Sequence, residues 1–180
     1  LAFSIPLLYD ERVTAASWAV LGVALHWLAV RRHQGWAHFW GVVVRLAATA
    51  AFVTDVDMLN TVIPLDRLPL FNNPFYIGAL LLSLSALLSA WLLHGEDERS
   101  AGIYRKLGGG MLLWGLLWWF GSGVMEMGLH IRDEHYVLSS IMAFVALSCV
   151  AAELIGTWLH WQGLRRTLLG LLPLLTLLAL

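Results

Sequence analysis

Apolar residues run in long blocks along this chain, with no alternation and few interruptions. The blocks are Val13–Val30, Trp36–Thr54, Phe75–His94, Leu107–Met127 and Val137–Leu159, with a shorter one at Thr167–Leu180. Each of the first five is close to the ~20 residues that carry a helix across a bilayer core, and the last falls below the ~17 needed. Strands of a membrane barrel would alternate apolar and polar residues over segments of about 10, which these blocks do not do. In hydrocarbon the backbone must satisfy its hydrogen bonds within the segment, so the pattern predicts helices. The expected fold is all-α: an integral membrane helical bundle of five full transmembrane helices plus a truncated sixth, arranged as repeated helical hairpins.

Composition strengthens the membrane reading. Of 180 residues only 23 are charged, while 59% are hydrophobic and 10 are Trp. A soluble fold of this size could not cover its surface with so little charge. A net charge of −1 with this apolar content also argues against disorder and against a nucleic-acid partner. The single Cys149 excludes an internal disulfide and any multi-cysteine metal site. The chain opens on Leu1 without the basic start of a signal peptide, and its last apolar block is short. Residues 1–180 are therefore expected to be a single transmembrane segment of a longer polytopic chain.

Lys and Arg between the blocks set the expected orientation. Arg31, Arg32, Arg99, Arg105, Lys106, Arg165 and Arg166 fall on one side, and Arg12, Arg67 and Arg132 on the other. The richer side should be cytoplasmic, so that loops 31–35, 95–106 and 160–166 lie on the cytoplasmic side of a bacterial inner membrane. Trp27, Trp36, Trp91, Trp158 and Trp161 fall near that face, where indole prefers to sit. The connection 55–74, apolar but broken by Pro64, Pro69 and Pro74, reads as an interfacial flap over the outer mouth. Trp27-Leu28, Trp91-Leu92 and Trp158-Leu159 each precede a charged turn, which suggests three hairpins made by duplication.

The stretch Thr14-Ala15-Ala16-Ser17-Trp18-Ala19-Val20-Leu21-Gly22-Val23-Ala24-Leu25-His26-Trp27-Leu28, followed by Arg31-Arg32, resembles a segment of large bacterial membrane proteins of many spans, the family called domain of unknown function 2339. Phe71-Asn72-Asn73-Pro74 running into Gly78-Ala79-Leu80-Leu81 is similar to that family, and so is Leu112-Leu113-Trp114-Gly115-Leu116-Leu117-Trp118-Trp119. Leu21 stands where the family's usual pattern has Glu. The resemblance implies a many-span membrane fold and no established activity.

Ionisable groups within the spans are the candidate chemistry, since each costs at least ~2.5–3.5 kcal/mol on insertion scales. Arg45 is mid-span beside Ala47, Ala48, Ala50 and Ala51. Glu153 lies on a stripe with Cys149, Thr157 and His160, and His26 on a stripe with Ala15, Ala19 and Gly22. Arg45, Glu153 and His26 form the candidate interior polar site, with an Arg45–Glu153 ion pair as the cheapest way to hold the charges. That pair serves either to fix helix register or as a functional site, such as a headgroup pocket or proton relay; the remaining alternative is no contact, with Arg45 snorkelling alone. Asp55, Asp57, Glu126 and His130 form a candidate acidic rim at the outer surface; their spacing matches no metal motif, so a solvated rim is preferred to a cation site. His33, His38, His94 and His160 read as interfacial, leaving His26 without a partner for haem. Gly108-Gly109-Gly110 lacks the rest of a phosphate loop. No metal, cofactor or catalytic residue is expected.

The functional expectation is a non-enzymatic scaffold or a unit that handles lipid or envelope material. The alternatives are an intramembrane transferase or hydrolase acting on lipid-linked substrate, or a pH-linked transporter. The expected partners are membrane lipids and the remaining helices of the parent chain. The small face of Ser148, Ala152 and Gly156 leaves a homo-oligomer open.

Overall fold

Helices form where the apolar blocks lie. The computed structural model describes residues 11–32, 34–55, 74–94, 102–131 and 134–169. Within them run α1 (Glu11–Arg32), α2 (Gly35–Asp55), α3 (Pro74–His94), α4 (Ile103–His130), α5 (Glu134–Trp158) and α6 (Gln162–Leu169), and no strand occurs among the described residues. Pro74 opens α3, where its missing N–H leaves no bond unmade. Gly102 precedes α4 at φ 65, and its carbonyl accepts from the N–H of Lys106. The segments Gly35–Val53, Tyr76–His94, Ile103–His130 and Tyr136–Trp158 are long and apolar enough to cross a membrane. The expected flap lies outside the described residues.

The chain divides into two compact units, Leu1–Ser122 and Gly123–Leu180. In the first, α1 and α2 are joined by a short turn and pack along each other, and α3 packs on both. Their core is small: Ala15 and Ala19 from α1, Ala48 and Phe52 from α2, Ala79 and Leu82 from α3. Alanine and glycine let helices approach closely, which is how van der Waals contact replaces the hydrophobic effect inside lipid. The one large ring in this core, Phe52, fills the notch at Gly78, where an added Cβ would overlap it. Its other side meets Trp118 edge-on, with ring centroids 5.7 Å apart. The large apolar side chains Val20, Phe39, Leu46, Leu84, Leu113 and Leu117 point outward instead, as lipid-facing residues would.

In the second unit, α6 folds back on α5. Trp161, Leu164 and Leu168 are its buried face. Trp161 was expected at the membrane interface, but the turn carries it back against α5, where it is 5% exposed. The turn is a Schellman motif: the Trp161 N–H bonds the Gly156 carbonyl at 2.8 Å and the His160 N–H bonds the Thr157 carbonyl at 3.3 Å. His160 occupies the left-handed position of that motif, at φ 54. A side chain there crowds the following carbonyl at a cost of about 1 kcal/mol, and glycine does not. His160→Gly should therefore stabilise the unit by about 0.5–1 kcal/mol. Thermal unfolding in detergent checks this, and a lower melting temperature would contradict it.

Candidate functional site

The first unit builds its polar centre from the α1–α2 hairpin. The two helices run antiparallel, so residues equidistant from the turn face each other. Gly22 of α1 meets α2 at Gly41, where an added Cβ on Gly22 would sit 3.2 Å from the Gly41 carbonyl oxygen. One turn beyond each glycine stands a polar side chain, His26 on α1 and Arg45 on α2. The packing is reciprocal. The His26 ring lies over Gly41, with its Cε1 2.9 Å from where a Cβ would be, and Arg45 lies over Gly22, with its Nη2 at 3.7 Å. Each large polar group thus occupies the space that the opposite glycine leaves.

Arg45 is 1% exposed and sits roughly 15 Å along α2, at 1.5 Å per residue. Its Nη2 donates to the Ser85 carbonyl oxygen at 2.9 Å and to Ser89 Oγ at 2.8 Å. Its Nη1 reaches Met111 Sδ at 3.0 Å. All three acceptors are neutral. The serines are otherwise bonded within α3, Ser89 Oγ donating to the Ser85 carbonyl and Ser85 Oγ to that of Leu82. Hydroxyls in an apolar helix commonly bond back to their own backbone in this way. Arg45 Nε has no hydrogen-bond partner.

His26 is fully buried. Its Nδ1 lies 3.2 Å from Nδ1 of His38, so one of the two nitrogens donates and the other accepts. The His38 ring in turn tilts against Tyr104 of α4, with centroids 4.8 Å apart. His26 Nε2, like Arg45 Nε, is buried without a partner. His26 and Arg45 flank the same Gly22–Gly41 contact. A polar file thus runs from Tyr104 through His38 and His26 to Arg45, drawing on α4, α1 and α2.

His38, read as interfacial from its place near the start of α2, is 4% exposed and makes a hydrogen bond to His26 that the sequence reading did not include. The reason is hairpin geometry: positions 26 and 38 are each six residues from Arg32, so an antiparallel turn brings them together. Ser85, Ser89 and Met111 were also missed. An available signal was the Ser85–Ser89 spacing of four in an otherwise apolar helix, which puts two hydroxyls on one face. The stripe Ala15, Ala19, Gly22 and His26 is the buried face of α1.

Glu153 makes its bonds elsewhere, in the second unit. Arg165 donates through Nε to Glu153 Oε1 at 2.8 Å, with both side chains about 41% exposed. Arg45 and Glu153, expected to pair, each have described partners within their own unit. The Arg165 stem lies over Gly156, which frees its head to reach one turn along α5. The hydrogen bond and charge of Glu153 hold the Arg165 guanidinium above its ordinary range, against a smaller desolvation effect. Arg165 therefore stays cationic at any accessible pH.

Of the expected acidic rim, Glu126 and His130 are one turn apart at the end of α4. Glu126 is buried, and His130 Nδ1 lies 3.4 Å from its Oε1 and 3.0 Å from its carbonyl oxygen. Asp55 is the last residue of α2, and Asp57 lies outside the described residues, as does the Asp55 side chain. Among the described residues no group of three or more His, Cys, Asp or Glu is placed to hold a metal ion.

The family model described as predicted membrane protein (DUF2339) matches residues 1–180. No curated protein and no solved structure matches the chain.

Proposed function

From the premise that the chain belongs to this family of predicted membrane proteins, we propose that it is a non-enzymatic multi-pass module that handles lipid-like or envelope material, with Arg45 and His26 at its interior site. In this reading α1 is a fifth full span, since its 22 residues reach about 33 Å. The helices pair as hairpins α1–α2, α3–α4 and α5–α6. Their basic ends, at Arg31-Arg32, Arg105-Lys106 and Arg165-Arg166, face the cytoplasm from a bacterial inner membrane. Membrane lipids and the remaining helices of the parent protein are its partners.

One observation carries the reading. Arg45 is a fully buried cation whose described bonds all go to neutral acceptors. Fastening helices does not need a charge: Ser and Met alone would hold these surfaces at lower cost, because a buried ion loses several kcal/mol of hydration. A charge kept at this depth is what a polar ligand would require. The test is native mass spectrometry of the intact parent protein, gently released from membranes, beside its Arg45→Ala variant. The expected result is a discrete bound lipid or glycan mass that the variant lacks. A clean apo mass in both, with the variant merely less stable, would make Arg45 a helix fastener and end the proposal.

A further inference from the structure

Two buried nitrogens at the α1–α2 crossing have no partner: Arg45 Nε and His26 Nε2. The first carries a proton in every state of the guanidinium. The state of the second depends on which way the His26–His38 bond runs. If His38 Nδ1 donates, His26 Nδ1 is the acceptor, and the proton of a neutral His26 must sit on Nε2. Both orphans are then donors, one turn from the same glycine contact. Each unmade bond of this kind costs about 1–3 kcal/mol, and more where the group is charged.

From these atoms we infer that Arg45 Nε–H and His26 Nε2–H form the seat of an oxyanion, a carboxylate or a phosphate, and that His38 donates from Nδ1 and so fixes the tautomer that makes this seat. The inference rests on the proposed ligand-handling role and adds the chemical class of the ligand. A cation is excluded because both groups donate. A neutral acceptor would meet the hydrogen bonds but leave the Arg45 charge uncompensated in an apolar bundle. An oxyanion meets both needs, and charge-assisted bonds are about twice as strong as neutral ones.

The surroundings favour an anion too. The file from His26 through His38 ends at Tyr104, whose hydroxyl is 3.6 Å from where a Cβ on Gly35 would lie. That contact brings the end of α1 and the start of α2 to the start of α4. Arg31, Arg32, Arg105 and Lys106 are all exposed at these helix ends. Four cations around the exposed end of the polar file raise the local concentration of anions before any binding occurs.

The experiment titrates the intact parent protein, in detergent, with four probes: inorganic phosphate, acetate, short-chain phosphatidylglycerol and short-chain diacylglycerol. Four variants accompany it. Arg45→Lys keeps the charge and loses Nε–H. His26→Asn loses a donor at the Nε2 position, whereas His26→Gln keeps one there. His38→Phe removes the donor that sets the tautomer. At least one anionic probe should bind, and diacylglycerol, which has no oxyanion, should bind at least ~10-fold more weakly, one lost charged hydrogen bond being worth about that factor. Arg45→Lys, His26→Asn and His38→Phe should each lose a similar factor, and His26→Gln should recover most of it. Nitrogen-15 spectra of histidine-labelled protein should show Nε2-protonated His26, with its resonance moving on binding, which a variant's misfolding cannot imitate. Phosphatidylglycerol binding without phosphate binding identifies a lipid headgroup as the source; binding of the free ions identifies a soluble one.

Equal affinity in His26→Asn, His26→Gln and the parent would overturn the seat, as would an Nδ1-protonated His26. A neutral lipid found by mass spectrometry, with no anionic probe bound, would overturn the oxyanion while leaving the ligand-handling role standing. An apo mass with no probe bound removes both.

Discussion

Arg45→Met should leave the first unit folded and about 1–3 kcal/mol more stable in ligand-depleted detergent solution, by analogy with buried charges replaced by apolar residues of similar size. The substitution removes a cation that has three neutral acceptors and no counter-charge among its described bonds. It leaves few orphans behind. Ser89 Oγ still donates to the Ser85 carbonyl, and the Met111 thioether packs as well against another thioether as against a guanidinium. An unbranched methionine also fills the space over Gly22 that the arginine stem fills now. Thermal and detergent unfolding, followed by the fluorescence of the many tryptophans, measures the difference. A loss of more than about 2 kcal/mol would mean that the guanidinium bonds outweigh its desolvation, and would move Arg45 from ligand site to fastener. Stability gained while the bound mass is lost is the signature expected of a site held for function at the expense of the fold.

The largest structural effect is expected at Gly78. Phe52 is 3% exposed, wedged between that glycine and Trp118, so a new side chain at 78 finds a ring that cannot swing aside. Gly78→Val should therefore cost about 3 kcal/mol, the upper range for overpacking, by forcing α3 away from α2. Since Ser85 and Ser89 lie on α3 about two and three turns further along, the same change should also loosen their grip on Arg45. Gly121→Ala is the matched control. A Cβ there meets open space, and alanine is the better helix former by about 1 kcal/mol, so that variant should be neutral or slightly stabilised. If the two substitutions had equal effects, the close packing at Phe52 would not be what holds α2 to α3.

Most of the fold was legible because the bilayer allows so few solutions. A block such as Phe75–His94 can satisfy its backbone in hydrocarbon only as a helix, and the helix found, Pro74–His94, departs from the block by a single residue. The other four long blocks likewise became helices ending within a few residues of the expected limits. The buried stripe of α1 was equally readable, since Ala15, Ala19, Gly22 and His26 repeat at helical spacing. The candidate site was only half legible. Arg45 and His26 announced themselves as ionisable residues in apolar runs, but their partners did not. Ser85, Ser89 and Met111 are ordinary residues for a membrane helix, and only the way α3 and α4 lie against Arg45 gives them a role.

Glu153 shows where sequence reasoning reached its limit. Charge balance joined it to Arg45 as the available acid of comparable depth, yet a guanidinium nearer in the chain, Arg165, takes it once the turn at His160 folds α6 back. That turn depends on a left-handed residue that is not glycine, so composition gave no warning of it. His38 shows the opposite case, a partner hidden in plain arithmetic by its equal distance from the hairpin turn. The sequence by itself determined an all-helical membrane protein, the extent of its helices and the two ionisable residues of its first polar centre, because hydrophobic periodicity and the cost of buried charge act residue by residue. Only the tertiary structure decided which neutral groups hold the cation, which histidine meets which, and that two buried nitrogens, Arg45 Nε and His26 Nε2, are left without a partner, because these depend on helix rotation and close approach at glycines that no single position encodes.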